Sequence, residues 1–337
     1  MKRIPALDGW RGIAIAMVLF DHIQLQILRG YARPWTDTGL HGVTIFFVLS
    51  GFLITSNLVR QPINPRHFYL RRFFRLMPAA WTYLGTLMLI DRIAHTHATT
   101  PAGTLACLFF YRNFFATPAV TLTGHFWSLS IEEQFYMIWP CTILLAGAKR
   151  SRWIAGAGAV ACAGCRQVFW THYTHGAAVL QTQVRADALL VGCLLALLIA
   201  DTRIREVAGR WSKFWMLPLL AALLCGIALF HWIPPLFESV AIAGLIGASV
   251  IHPRTLFARS LAFAPLAWLG RVSYSVYLWQ QLFTPFGSFV ALCIALPAAA
   301  LGSYYFVELP FTRLGHHLTK AAAPSVPPSK HLITPTL

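Results

Sequence analysis

Charge is scarce in this chain, and acidic charge is scarcest. Of its 337 residues 11% are Asp, Glu, Lys or Arg and 57% are hydrophobic, with a mean hydropathy of +0.60. So few ionised groups cannot clothe a water-soluble globule, and the composition predicts a polytopic membrane protein. The 11 Asp and Glu stand against 27 Lys and Arg, a formal net charge of +16. In a soluble protein that excess would point to nucleic acid; in a membrane protein it belongs first to loop asymmetry, and no nucleic-acid partner is expected. Long hydrophilic connections are missing too, which excludes a second folded domain between the apolar runs, and there is no internal repeat. Cysteine offers little chemistry. The one close pair, Cys162 and Cys165, lies in a Gly/Ala-rich stretch without His or acidic companions, a pattern of small-residue helix packing rather than redox or metal binding. No metal site is expected. No small-residue cleavage site follows Phe20-Asp21-His22, so the basic start ahead of an apolar run reads as a retained first helix.

What the chain has in quantity is apolar runs of spanning length. They fall near 10–28, 40–59, 78–94, 126–147, 153–170, 184–200, 213–231, 235–251, 264–283 and 286–307. The expected fold is an all-α polytopic membrane protein with ten transmembrane helices forming one domain over 1–318. A weaker stretch, 102–115, reads as re-entrant or as an outer interfacial helix. With the N-terminus cytoplasmic, only Arg29, Arg33, Arg92, Arg112, Arg166 and Arg185 of the 27 basic residues fall on the outer side. That bias satisfies the positive-inside rule and predicts both termini in the cytoplasm. The Pro-rich end, 319–337, is expected to be a disordered cytoplasmic tail.

Within these helices a few polar residues need explaining. Arg11 and His22 are eleven apart in the first segment, roughly 16 Å along a helix, about half a bilayer core. With Arg11 at the inner interface, His22 lies near the midplane, where an ionisable side chain suggests function; the bland readings are a snorkelling anchor and a structural histidine. Arg72 and Arg75, three apart, share a face ahead of a third helix that has Pro78 as an early residue, while Arg71 points elsewhere. They either grip phosphate or bind anionic lipid. In the fourth segment Ser128, Glu132 and Tyr136 form one stripe and Glu133 is turned away by about 100°. Glu132 either serves an acceptor hydroxyl and His22, or pairs with an Arg from another helix. Ser50 is placed at the depth of His22, for bonding a substrate oxygen or for close helix packing. Arg185 and Asp187 begin the sixth helix, lining an acceptor entrance or pairing at the interface.

Four blocks in order, LDGWRGIAIAMVLFDH, GVTIFFVLSGFLIT, FYLRRFFRLMPAAW and FWSLSIEEQFYMIWP, with echoes in RADALLVG, SYSVYLWQ and VELPF, resemble the acyltransferase-3 family of bacterial integral-membrane acyltransferases. The resemblance spans residues 7 to 311. It implies a multi-pass enzyme of the bacterial inner membrane that moves an acyl group, commonly acetyl from cytoplasmic acetyl-CoA, to a hydroxyl of an envelope glycan. The family's Arg, ten residues, then His is matched by Arg11 and His22, and its two-Arg spacing by Arg72 and Arg75. On that reading Arg11, Arg72 and Arg75 clamp the phosphates of acyl-CoA, His22 and Glu132 are catalytic, and Ser50, Ser128, Tyr136, Arg185 and Asp187 are acyl or acceptor contacts. Acyl-CoA is then a substrate, with no permanently bound cofactor; the partners are membrane lipid and a hydroxyl acceptor. No extracytoplasmic esterase-like domain is read in the chain, so transfer is direct or uses a separate extracytoplasmic transferase. Where family members often carry His after Tyr-Leu-Trp, this chain has Gln280, which cannot take a proton and bears on acceptor choice or rate. Two alternatives stand beside this reading: acylation of a secondary metabolite such as a macrolide, and a transporter of a polar solute, which also places His, Glu and Arg in a bundle interior.

Overall fold

The computed structural model describes residues 4–27, 38–60, 64–95, 99–115, 121–172, 180–226, 234–284, 288 and 290–321. Among the described residues there is no strand. The helices are α1 (Pro5–Ile27), α2 (Thr38–Arg60), α3 (Pro65–Ala94), α4 (Pro101–Leu108), α5 (Phe126–His172), α6 (Thr182–Arg185), α7 (Asp187–Ile199), α8 (Thr202–Cys225), α9 (Pro235–Ile251), α10 (Leu256–Leu261), α11 (Ala264–Phe283), α12 (Leu296–Ser303) and α13 (Leu309–Ala321). Wider π turns over Ala291–Ala295 and Tyr304–Glu308 join the last two into one continuous helix.

Within the described residues each of the ten apolar runs falls on a helix. Among those residues three helices are by length and composition long and apolar enough to cross a membrane, Thr38–Arg60, Pro65–Ala94 and Ala291–Lys320, and shorter apolar helices accompany them. Large apolar side chains point outward, Leu145 at 87%, Trp153 at 82% and Phe306 at 82% exposure, which suits lipid and not water. The stretch 102–115 resolves into α4, eight residues and about 12 Å long, too short to span. Arg29, Arg33 and most of the expected tail, 322–337, lie outside the described residues; α13 continues through 319–321.

One boundary differs from expectation. The third helix begins at Pro65, not near Pro78: Asn64 caps it by accepting from the Arg66 amide at 3.0 Å, and Pro65 occupies the first turn. Its first half is basic, so an apolar window misses it. Arg71, Arg72 and Arg75 are therefore on the helix itself, and Pro78 is interior. The runs 126–147 and 153–170 are, as expected, two helices; they meet within α5 at a kink at Gly147, whose non-helical φ of 72° only glycine holds cheaply.

The core of the bundle is α1 against α2 and α11, and α2 against α7. Backbones touch where glycines permit it: a Cβ on Gly51 would meet the Leu189 carbonyl and one on Gly192 the Val48 carbonyl, and likewise for Gly270 against the Asp8 carbonyl. These contacts fix the register. Gly39 lies against Asp21 and Gly42 against Ala14 and Val18, so α1 and α2 are antiparallel; Gly9 meets Leu261 of α10 and Gly12 meets Leu266 and Gly270 of α11, so the chain from α10 into α11 runs parallel to α1.

Candidate active site

A cavity of about 380 Å³ opens between α1, α2, α3, α5 and α11, lined by Arg11, Ser50, Asn57, Arg72, Arg75, Glu132, Tyr136, Ser273, Tyr274 and Tyr277 among others. It joins a larger space of about 950 Å³ that shares Arg11, Asn57, Arg72 and Arg75 and adds Arg60, Arg71, Arg271, His316, Asp8 and Glu308. The larger chamber is thus strongly basic. Arg71 was expected to point away, yet it lines this chamber: Arg71 and Arg75 are four apart and share a face, while Arg72 turns toward α5.

Arg72 is held on every side. Its Nε donates to Glu133 Oε1 at 3.1 Å, its Nη2 is 3.6 Å from Glu132 Oε2, and its guanidinium carbon is 3.1 Å from the centre of the Tyr136 ring. Glu132 also accepts from Ser50 Oγ at 2.9 Å and from the Tyr136 hydroxyl at 3.4 Å. The interhelical ion pair weighed for Glu132 is what the geometry holds, and Glu133, although turned from the stripe, shares it. Neither carboxylate is bonded to His22. Arg75, by contrast, faces both chambers and makes no ion pair among the described residues. Arg11 is 3.4 Å from Asp8 Oδ1 and remains partly open to the cavity.

Arg11 and His22, eleven residues apart, differ by only about 20° around the helix, so α1 turns both to one side. The His22 Nδ1 lies 2.8 Å from the Val18 carbonyl; a carbonyl can only accept, so Nδ1 is the donor, and in the neutral imidazole Nε2 is the nitrogen left with a lone pair. His22 does not line the cavity. Its depth also differs from expectation: the α1–α2 register sets His22 level with the first turn of α2 and Ser50 level with Arg11. The expectation anchored Arg11 at the interface, whereas the basic chamber carries that charge into the bundle. The α1–α11 register in turn sets Tyr277, the cavity's far wall, about three residues or 4.5 Å below the level of His22.

Ser128 lies behind that wall, its Oγ 2.5 Å from the Tyr277 hydroxyl and 3.1 Å from the His125 carbonyl. Arg185 and Asp187 are elsewhere. Asp187 pairs with Arg166 at 2.5 Å and Arg185 lies over the Trp127 ring at 5.7 Å, both beside a small separate void. Among the described residues no group of His, Cys, Asp and Glu could hold a metal ion. Sequence reasoning missed Arg60, Arg71, Arg271 and His125. The four-residue spacing of Arg71 and Arg75 was a usable signal; Arg60 and Arg271 come from distant helices and carried none.

An all-helical bundle with apolar side chains facing outward and a strongly basic chamber inside defines a membrane protein with an interior cleft suited to anions. The sequence model of the acyltransferase domain matches residues 4–308, and the chain belongs to that acyltransferase-3 family. It is 30% identical over 312 residues to the peptidoglycan O-acetyltransferase OatA of Listeria monocytogenes, covering 83% of this chain and 49% of the relative. It is 31% identical over 366 residues to YrhL of Bacillus subtilis, provisionally named a peptidoglycan O-acetyltransferase, covering 93% and 56%. The chain thus spans about half the length of these relatives. No solved structure matches.

Proposed function

We propose that this chain is an O-acyltransferase of the bacterial inner membrane that moves acetyl from cytoplasmic acetyl-CoA to a glycan hydroxyl on the other side. The observation that carries the reading is the continuous cleft from the Arg60, Arg71, Arg75 and Arg271 cluster to Tyr277, ending about one turn short of His22. CoA is a polyanion joined by a slender arm to a thioester. Guanidinium groups bind its phosphates in bidentate geometry, and the narrower chamber receives the arm.

At the far end His22 acts as general base. Nε2 takes the proton of the acceptor hydroxyl as that oxygen bonds to the thioester carbonyl carbon. The carbon–sulfur bond breaks, and the departing CoA thiolate takes the proton from the imidazolium. Arg72, neutralised by two carboxylates, shapes the chamber between these ends instead of gripping phosphate. One relative is named a peptidoglycan O-acetyltransferase and a second carries that name provisionally, so peptidoglycan sugars are the first acceptors to try.

The test uses inside-out membranes with acetyl-CoA labelled in the acetyl group. Label in glycan and CoA release are expected with the wild-type protein, and a fall of at least about a hundredfold with His22→Ala. A folded His22→Ala protein transferring at the wild-type rate would remove the mechanism. A polar solute carried across the membrane unmodified, with the label still on intact acetyl-CoA and no CoA released, would support the transporter instead.

A further inference from the structure

The cavity explains only the lower half of the α11 stripe that faces it. Ser273 and Tyr277 line it. The same helical spacing continues to Gln280 and Thr284, which line neither chamber and are 0% and 2% exposed. Neither the Gln280 amide oxygen and nitrogen nor the Thr284 hydroxyl has a hydrogen-bond partner. His125 shares this condition: it is 5% exposed, one ring nitrogen faces the Leu278 carbonyl, and neither nitrogen completes a hydrogen bond. Buried polar atoms are almost always satisfied, and each idle one costs stability. Three such side chains together call for a reason.

Their position supplies one. The Gly12 amide lies beside Gly270, and ten residues further along two parallel helices stand His22 and Gln280, both about 15 Å on. The His125 ring meets Tyr277 at 5.6 Å and Tyr83 at 5.3 Å, and its carbonyl accepts from the Tyr277 hydroxyl at 3.1 Å. The idle groups therefore gather near the level of His22, beyond the Ser128–Tyr277 hydrogen bond that backs the donor cavity.

We propose that His125, Gln280 and Thr284 form the acceptor subsite, where the hydroxyl groups of an uncharged sugar supply the missing hydrogen bonds. An amide, a hydroxyl and an imidazole each donate and accept, as a sugar hydroxyl does. The Arg60, Arg71, Arg75 and Arg271 guanidiniums that suit a charged ligand lie in the other chamber. This inference rests on the acyl-transfer reading, and it names the groups that hold the acceptor beside the base.

The experiment takes the full chain in lipid nanodiscs, with the variants Gln280→Met and Thr284→Val. Three quantities are measured: the apparent KM for soluble peptidoglycan fragments, the affinity for acetyl-CoA, and the thermal midpoint without substrates. Each variant removes an idle polar group at nearly constant volume, so the midpoint is expected to hold or rise, as happens when a binding group is replaced. Acceptor KM is expected to rise by about three- to tenfold in each, the worth of one hydrogen bond, with acetyl-CoA affinity unchanged. Midpoints that fall in both variants while acceptor KM stays constant overturn the subsite and make these groups structural. Wild-type protein that binds acetyl-CoA but acetylates no glycan overturns the functional reading and the subsite with it; wild-type transfer with both acceptor KM values unmoved overturns the subsite alone.

Discussion

Arg72 and Arg75 are three residues apart on α3 and meet opposite environments. Arg72 spans Glu132, Glu133 and the Tyr136 ring, with a side chain 20% exposed; Arg75 faces open chamber with no carboxylate partner among the described residues. Removing one member of a buried pair leaves the other charge uncompensated. Arg72→Ala should therefore lower the unfolding free energy by about 3 kcal/mol, seen as a lower midpoint before any substrate is added. Arg75→Ala should keep its midpoint and weaken acetyl-CoA binding by roughly tenfold, the cost of a charge-assisted hydrogen bond. Equal loss of CoA affinity in both, with neither midpoint changed, would restore Arg72 to the phosphate clamp. The side-by-side placement of Arg11 and His22 was legible in the sequence because eleven residues nearly complete three helical turns. The capture of Arg72 was not, since Glu132 and Glu133 arrive from α5 and only tertiary packing decides which Arg they meet. His125 precedes its helix, where no periodicity marks it.

Helices in this fold are set by small residues as much as by apolar runs. At Gly51 an added Cβ would collide with the Leu189 backbone carbonyl, whereas at Gly164, also inside a helix, it would meet nothing within 4 Å. Gly51→Val is expected to cost more than about 3 kcal/mol, the upper end of ordinary overpacking, because backbone cannot step aside as a side chain can. Gly164→Ala should gain about 0.5–1 kcal/mol from helix propensity alone. Thermal midpoints of the two variants in the same detergent decide it; if both moved the same way, the α2–α7 contact would not depend on Gly51. The element list itself was readable, since each apolar run proved helical. What escaped was the basic first half of α3, because hydropathy reports lipid contact and a helix lining a polar chamber has little. The depth of Ser50 escaped for a related reason. Span midpoints assume that helices share one level, while the α1–α2 register slides Ser50 down to Arg11.

Over the whole molecule the charges are segregated. Arg11 from α1, Arg60 from α2, Arg71 and Arg75 from α3 and Arg271 from α11 converge on one chamber, with His316 from α13 at its wall. These arginines all belong to the side that loop asymmetry assigned to the cytoplasm. The other end of the cleft is walled by Tyr277, backed by Ser128, with the uncharged Gln280 and Thr284 side chains buried beyond it. Such segregation makes the two substrates answer differently to salt. Exposed and half-exposed charges are screened over roughly 8 Å at physiological ionic strength and about 3 Å at 1 M, so the attraction of a polyanion to a wide, open basic chamber weakens steeply as salt rises. A hydroxyl held by amide, hydroxyl and imidazole groups has no such term. The apparent KM for acetyl-CoA should therefore climb severalfold between low and high salt while the acceptor KM stays nearly flat, and Arg60→Ala or Arg271→Ala should blunt that climb by removing charge from the chamber. An acetyl-CoA KM indifferent to salt in the wild-type protein would mean that the arginines of this chamber serve the anionic lipid around the bundle and not the donor within it.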